Sequence, residues 1–210
     1  MKTELRSPSP LRDLAEQLAT GGTTPIDVAE AALARIADLE PDIHAWADLD
    51  ADAVRSGGSS SGSAAAVAAG MVPLAFGTQT AGSLTRPASF CGVAGFVTAH
   101  GELPTAGITG LSPSLDTVGL LARTVSDLHF AWTALRDGTP APVLEPSAPR
   151  RLRLWSGFEL GEVSREMTKT LRTTADSAES AGIRCRELDA AATIVALTEH
   201  HHTVMAYEAA

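Results

Sequence analysis

The chain has 210 residues, of which 44% are apolar and 20% are charged, close to the averages of globular proteins. This composition disfavours a disordered, collagen-like or coiled-coil chain, and the length allows one large domain or two small ones. Sixteen basic against 25 acidic side chains give a net charge of −9, which argues against nucleic acid or an anionic membrane as the partner.

The cellular compartment is predicted from the cysteines and from the apolar runs. Cys91 and Cys185 lie far apart in the sequence, and residues 1–10 contain no apolar run typical of a secretory signal. No stretch reaches the roughly 18 apolar residues that span a bilayer. We expect a cytoplasmic protein with reduced thiols and no membrane partner.

Two helices are predicted near the amino terminus. Apolar residues at helical spacing predict a helix over Leu11–Leu18, with an exit at Gly21. A second helix follows Thr24 as its N-cap, with Pro25 in the first turn, and we expect Pro41 to end it.

The middle of the chain alternates glycine turns with apolar elements. The loop Ser56–Ser63 leads into a predicted helix over Ala64–Ala69, capped by Ser63, and then into a strand over Val72–Phe76. A second glycine turn, Gly77–Ser83, follows. Further predictions are an apolar stretch over Phe90–Val97, a long ordered loop over Gly101–Pro113 and helical periodicity over Val118–Leu135.

Residues 139–149 contain four prolines and are the best candidate for a linker. The alternation beyond them indicates α/β layering. Its predicted elements are a strand at Leu152–Trp155, a helix at Val163–Ala181, a strand at Ile183–Leu188 and a helix at Ala190–Ala210. We interpret the chain as one domain in four segments: helices over 1–55, a glycine- and serine-rich core over 56–138, the linker over 139–149 and a further α/β part over 150–210.

Serines in glycine turns suit acyl transfer, because such turns aim several backbone N–H groups at one point. A serine nucleophile also needs a base, and no histidine stands beside either turn; the G-x-S-x-G motif is absent as well. His100 and the run His200–His202 are more typical of packed or surface histidines than of catalytic or metal-binding ones. The residues alone therefore leave a serine hydrolase and a purely structural role for the turns both open.

The run GGSSSGS (57–63) followed by AAAVAAGMVPLAFGTQTAGSLTRPASFCGVAGF resembles the signature segment of the amidase signature family, and the likeness extends from residue 56 to about 127. The resemblance implies an α/β/α three-layer fold with a mixed sheet, present here in incomplete form. It also implies hydrolysis of a small-molecule carboxamide to a carboxylate and ammonia or an amine by a Ser-Ser-Lys triad, with no cofactor and no metal.

The same resemblance assigns roles to individual residues. Ser83 matches the nucleophile, and Ser59, 24 residues earlier, matches the bridging serine that follows a cis peptide bond. The backbone N–H groups of Ser83 and its three predecessors match the oxyanion hole. Those predecessors are Thr80, Ala81 and Gly82, and the residues expected to support the site are Ser60, Arg86 and Asp116.

The triad lysine has no counterpart, because the only lysines are Lys2 and Lys169. The resemblance implies that the segment bearing it is deleted between Arg55 and Ser56, and that the chain stops part way through the carboxy-terminal half of the family. The alternative to an amidase is therefore an inactive remnant with no role or only a binding role. We also expect open sheet edges, and with them marginal stability or self-association.

Overall fold

The structure is a computed structural model that describes residues 11–45, 59–138, 149–188 and 191–210. These residues form two compact units, unit 1 up to residue 138 and unit 2 from residue 149. Residues 1–10, Gly57, Gly58, the junction of Arg55 with Ser56 and the predicted linker up to residue 148 lie outside the described residues.

Unit 1 begins with the two predicted helices, α1 over Leu11–Thr20 and α2 over Pro25–Ile43. The start of α2 is a capping box, in which the Thr24 hydroxyl accepts from the Asp27 N–H and the Asp27 carboxylate accepts from the Thr24 N–H. The prediction that Pro41 ends α2 was wrong, because the helix continues to Ile43. A proline in the last turn removes one hydrogen bond, and the helix stops only where His44 takes a left-handed conformation, with φ of 52°.

The glycine- and serine-rich core forms two helices and two strands. They are α3 over Ser61–Ala68, β1 over Leu74–Gln79, α4 over Thr85–Cys91 and β2 over Ala94–Val97. Helix α3 starts three residues earlier than predicted, with Ser60 rather than Ser63 at the N-cap, because the Ala64 N–H already donates to the Ser60 carbonyl. The predicted apolar stretch over Phe90–Val97 is divided at Gly92, which ends α4 with φ of 66°.

The prediction of continuous helical periodicity over Val118–Leu135 was wrong in its first part. Residues Thr117–Ala122 form strand β3, and helix α5 covers only Val125–Asp137, with Thr124 as its N-cap. A short run of apolar residues fits a fully buried strand as well as a buried helix, so periodicity alone does not separate them. Pairing on both sides decides the outcome here, because β3 is hydrogen-bonded to β1 and to β2.

Strand β3 is the centre of a three-stranded antiparallel sheet in the order β1–β3–β2. Its side chains alternate between two apolar clusters, with Leu121 packed among residues of α3 and α4 and Leu120 among residues of α5. Helices therefore cover both faces of the sheet, which gives unit 1 the expected α/β/α layering.

Unit 2 follows the predicted alternation of strands and helices. Its elements are β4 over Arg151–Leu154, a 3₁₀ turn over Phe158–Leu160, α6 over Arg165–Ser180, β5 over Arg184–Glu187 and α7 over Ala191–Glu208. Strands β4 and β5 pair in parallel, so parallel and antiparallel pairing both occur in the chain. No residue whose burial is described in unit 2 is fully buried.

None of the helices among the described residues is long and apolar enough to span a membrane.

Candidate active site

A cavity of about 440 Å³ lies in unit 1 where the turn after β1 faces the start of α3 and the loop before β3. Ser59 and Ser83, the two serines singled out in the sequence, both line it. The other lining residues are Thr78, Thr80, Thr105, Ile108, Thr109, Gly110, Leu111, Pro113, Asp116 and Thr117.

The two serine turns are joined through Ser60. Its backbone N–H donates to the Ser83 carbonyl at 3.2 Å. Its buried hydroxyl donates to the Thr78 carbonyl and accepts from the Thr78 N–H, both at 3.3 Å. Ser60 therefore supplies the hydrogen-bond partner of the Thr78 backbone groups, on the edge of β1 that faces away from β3. It also holds the start of α3 against the turn that carries Ser83.

The turn between β1 and α4 is shaped by Gln79. The Gln79 side-chain oxygen accepts from the Leu84 N–H at 3.2 Å, and from the N–H and the hydroxyl of Thr85 at 3.0 and 2.9 Å. One side chain thus supplies the hydrogen bonds that the first residues of a short helix lack.

The backbone N–H groups of Ala81, Gly82 and Ser83 take no part in this network. Within the part of the chain that the structure describes, none of the three donates a hydrogen bond to a protein atom. Three unbonded donors in one turn are suited to a developing negative charge on a bound molecule.

Asp116 closes the opposite wall of the cavity. Its carboxylate accepts from the Thr80 hydroxyl at 2.5 Å and from the N–H groups of Leu111 and Ser112 at 2.7 and 2.9 Å. Burial raises the pKa of Asp116, but the three hydrogen bonds and the nearby His100 outweigh it and lower the pKa below its usual value. A carboxylate held in this way stays ionised and fixes the loop.

The structure brings together Ser59, Ser83, Thr80 and Asp116 on the cavity wall, with Ser60 buried behind them. Ala81, Gly82 and Arg86 are not among the lining residues. Arg86 is exposed, and its N–H donates to the Gly82 carbonyl at 3.0 Å. The hydroxyls of Ser59 and Ser83 are not hydrogen-bonded to each other. The cis peptide expected before Ser59 involves Gly58, which lies outside the described residues.

Neither a lysine nor a histidine is among the described residues that line the cavity. His100 lies outside it, with Nε2 at 3.0 Å from the Pro113 carbonyl. In the described ranges no three His, Cys, Asp or Glu side chains are close enough together to hold a metal ion. Asp116 is therefore the one charged side chain on the described wall.

Sequence reasoning missed Gln79 and Thr117, whose hydroxyl donates to the Gln79 carbonyl at 2.9 Å. The position of Gln79 gave a usable signal, since an amide just before a glycine turn that enters a helix can accept from the first N–H groups of that helix. The bond of Thr117 joins residues 38 positions apart, and no local pattern indicates it.

Comparison with known proteins gives a consistent result. The sequence profile of the Amidase family matches residues 47–206. An indoleacetamide hydrolase from Pseudomonas syringae pv. syringae is 46% identical over 120 residues, which cover 55% of this chain and 27% of that protein. A second indoleacetamide hydrolase, from Pseudomonas savastanoi, is also 46% identical over 120 residues, which cover 55% of this chain and 26% of that protein.

A crystal structure of an amidase superposes with a TM-score of 0.64 at 32% identity, covering 73% of this chain and 35% of that one. The chain thus spans about a quarter of the length of the curated relatives it matches. It belongs to the amidase signature family, and its α/β layers are an incomplete form of that fold.

Proposed function

We propose that this chain cleaves the C–N bond of a small carboxamide through an acyl intermediate on Ser83. The observation that carries the proposal is the hydrogen bond from the Ser60 N–H to the Ser83 carbonyl, because it brings both serine turns to one cavity. The hydrolysis of C–N bonds is the chemistry of the family, and the assignment of Ser83 is our own.

The proposed reaction has two halves. The Ser83 hydroxyl oxygen attacks the amide carbon, and its proton passes by way of the Ser59 hydroxyl to the nitrogen, which leaves as ammonia or an amine. This transfer requires the two hydroxyls to come within hydrogen-bond distance when the amide binds. The N–H groups of the Ala81–Ser83 turn donate to the oxyanion in the tetrahedral intermediate. Water then attacks the ester, releasing a carboxylic acid and restoring the Ser83 hydroxyl.

The cavity wall favours an uncharged amide with an apolar acyl group. Its volume of about 440 Å³ suits a small molecule. Ile108 and Leu111 present apolar side chains that are 40% and 51% exposed. The ionised Asp116 would repel an anionic substrate from the same wall.

The rate is expected to be low because the described residues of the cavity wall offer the relay no strong proton acceptor. Asp116 has a lowered pKa and is a weak base for a hydroxyl. Removing one member of such a catalytic unit lowers the rate by about 10⁴- to 10⁶-fold, while donors to the oxyanion retain about 10³-fold over water. The same observation favours a second candidate function, an amide-binding member of the family without turnover.

The test measures ammonia released from phenylacetamide by the full chain, beside Ser83→Ala, Ser59→Ala and the control Ser89→Ala. Ser89 is an exposed serine of α4 that does not line the cavity. We expect slow release that Ser83→Ala abolishes, Ser59→Ala lowers and Ser89→Ala leaves unchanged. Release that persists in Ser83→Ala would overturn the acyl-Ser83 intermediate.

A second measurement separates the two candidates. A fluorophosphonate reagent that labels activated serines, followed by mass spectrometry of the peptides, reports the reactivity of Ser83 directly. Labelling of Ser83 in preference to Ser89 supports the hydrolase. Binding of phenylacetamide by NMR without labelling or ammonia release supports the binding protein. Turnover at or above about 1 per second would contradict the expected lack of a base.

A cytoplasmic location is part of the proposal. Cys91 and Cys185 are both free thiols, as expected in a reducing compartment. Burial raises the pKa of the Cys91 thiol, which disfavours its thiolate form.

A further inference from the structure

Four arginines stand on one face of the two-stranded sheet of unit 2. In the parallel register Arg151 lies opposite Arg184, and Arg153 lies opposite Arg186. All four are exposed, and together with Leu152 they line a pocket of about 100 Å³. We call the four arginines the arginine face.

The arginine face is the side of the sheet that α6 does not cover. The Cys185 thiol lies 3.8 Å from the Ala175 carbonyl of α6, so the alternate residues of β5 turn toward the helix. Leu152 and Leu154 are half-buried like Cys185, whereas the arginines that alternate with them are exposed. Within unit 2, therefore, apolar residues face the helix and guanidinium groups face outward.

The positive charges of this face are not compensated by the protein that the structure describes. No described carboxylate forms an ion pair with any of the four arginines. Glu187 alternates with Arg184 and Arg186 on β5 and therefore belongs to the opposite face. Like charges directly opposite each other weaken a strand pair. A bound anion would relieve this repulsion, and the arginines are clustered here although the chain as a whole has a net charge of −9.

The spacing of the guanidinium groups indicates the kind of anion. Adjacent strands lie about 4.8 Å apart, and alternate residues on one strand lie about 6.6 Å apart. Four arginines at these separations cover more than one phosphoryl group, and the planar guanidinium matches phosphate oxygens in pairs. The small pocket and the acidic chain disfavour a nucleic acid polymer.

We propose that the arginine face binds a small oligophosphate, through phosphoryl groups that lie across β4 and β5. The same chemistry is offered by an inorganic phosphate chain and by the phosphate tail of a nucleotide. The arginine face belongs to unit 2 and the serine cavity to unit 1, and occupancy of the arginine face does not depend on amide hydrolysis.

The test is calorimetric titration of the full chain with inorganic tripolyphosphate at moderate salt, beside orthophosphate and adenosine triphosphate. Arg153→Gln combined with Arg186→Gln should weaken tripolyphosphate binding at least tenfold. The control Arg165→Gln combined with Arg172→Gln removes the same two charges from exposed positions on α6 and should change binding less than twofold. Equal affinity in the double variant of the arginine face, or no binding at 1 mM tripolyphosphate, would overturn the proposal.

The other ligands identify the source of the phosphate. Orthophosphate should bind at least tenfold more weakly than tripolyphosphate, and equal affinity would contradict a site for linked phosphoryl groups. Similar affinity for adenosine triphosphate assigns the site to the phosphate chain alone, and tighter binding assigns it to a nucleotide; both results support the proposal. Preferential binding of a short DNA duplex would overturn it.

Thermal melting gives a readout that a folding defect cannot imitate. Without an anion the double variant should melt at the temperature of the parent chain or above it, because like-charge repulsion is removed. Tripolyphosphate should raise the melting temperature of the parent chain but not that of the double variant. A variant that melts lower in the absence of any anion would contradict an anion site on this face.

Discussion

The backbone N–H of Ser60 and the carbonyl of Ser83 are joined at 3.2 Å, across 23 residues of chain that contain α3 and β1. The bond turns two glycine-rich loops into one wall of a cavity. Because Ser60 also holds both backbone groups of Thr78, the position of Ser83 depends on the edge of the sheet as well as on its own turn.

Replacing Ser60 by alanine tests this dependence. The change leaves the Thr78 N–H and carbonyl without their partner at a part-buried position, which costs about 1–3 kcal/mol. We expect the free energy of unfolding, measured in urea, to fall by that amount. The exposed control Ser89→Ala should change it by less than about 0.5 kcal/mol. Equal stability of the two variants would show that the Ser60 hydroxyl is not a structural link.

Gly119 lies where the central strand leaves no room for a side chain. A Cβ atom there would lie 2.4 Å from the Phe96 carbonyl oxygen and 2.6 Å from Cδ1 of Leu84. We expect Gly119→Ala to lower the free energy of unfolding by about 3 kcal/mol or more, because backbone of β2 must move. Gly22→Ala, whose nearest contact would be 3.6 Å, should leave it almost unchanged. Similar urea midpoints for the two variants would contradict this packing.

The sequence indicates the serine turns well and the sheet poorly, for a physical reason. Glycine turns, N-caps and the Ser59–Ser83 spacing are local patterns, and the resemblance to a known family rests on them. The helix predicted over β3 was wrong because the identity of this strand depends on β1 and β2, whose paired residues lie 22 to 48 positions away in the sequence. Contacts of that range leave no periodic trace in a single sequence.

The arginine face is the opposite case: a local pattern was present in the sequence, but by itself it did not predict a cluster of arginines. Arginines alternate with apolar residues in RLRL and again with other residues in RCRE, as on half-buried strands. Only the parallel register places the two patterns on the same face. The bonds that join Asp116 to Thr80 and Thr117 to Gln79 likewise required the loop before β3 and the turn after β1 to be known together.

Asp116 predicts a pH dependence of stability. Its pKa is lowered in the folded chain, so the carboxylate stabilises the fold at pH values above its unfolded pKa, near 3.8. That contribution is lost as the pH falls through the lower folded pKa. Melting temperatures between pH 6 and pH 3 should therefore fall more steeply for the parent chain than for Asp116→Asn. Parallel curves for the two proteins would show that Asp116 is not held as described.

Self-association is expected at the outer strands of unit 1. Strands β1 and β2 form the two edges of the described sheet, and Phe76 on β1 is 55% exposed. Size-exclusion chromatography should show an apparent mass that rises with concentration. Phe76→Lys should reduce the rise, and Ala29→Lys, at an exposed position of α2, should not. A monomer at every concentration with a steep urea transition would show that the edges are closed.

The two units should also differ in their resistance to local opening. Leu120 and Leu121 of β3 are completely buried, whereas no residue whose burial is described in unit 2 is. Opening free energies follow the amount of buried apolar contact, so the amides of β4 and β5 should exchange at least about 100-fold faster than those of β3. Hydrogen exchange of the full chain, read by mass spectrometry of peptic peptides, measures this ratio. Equal protection of the three strands would mean that unit 2 is stabilised by contacts beyond its own elements. A repeat of the exchange with added tripolyphosphate then shows whether an anion on the arginine face is the source, because only an anion site gives a protection of β4 and β5 that depends on tripolyphosphate.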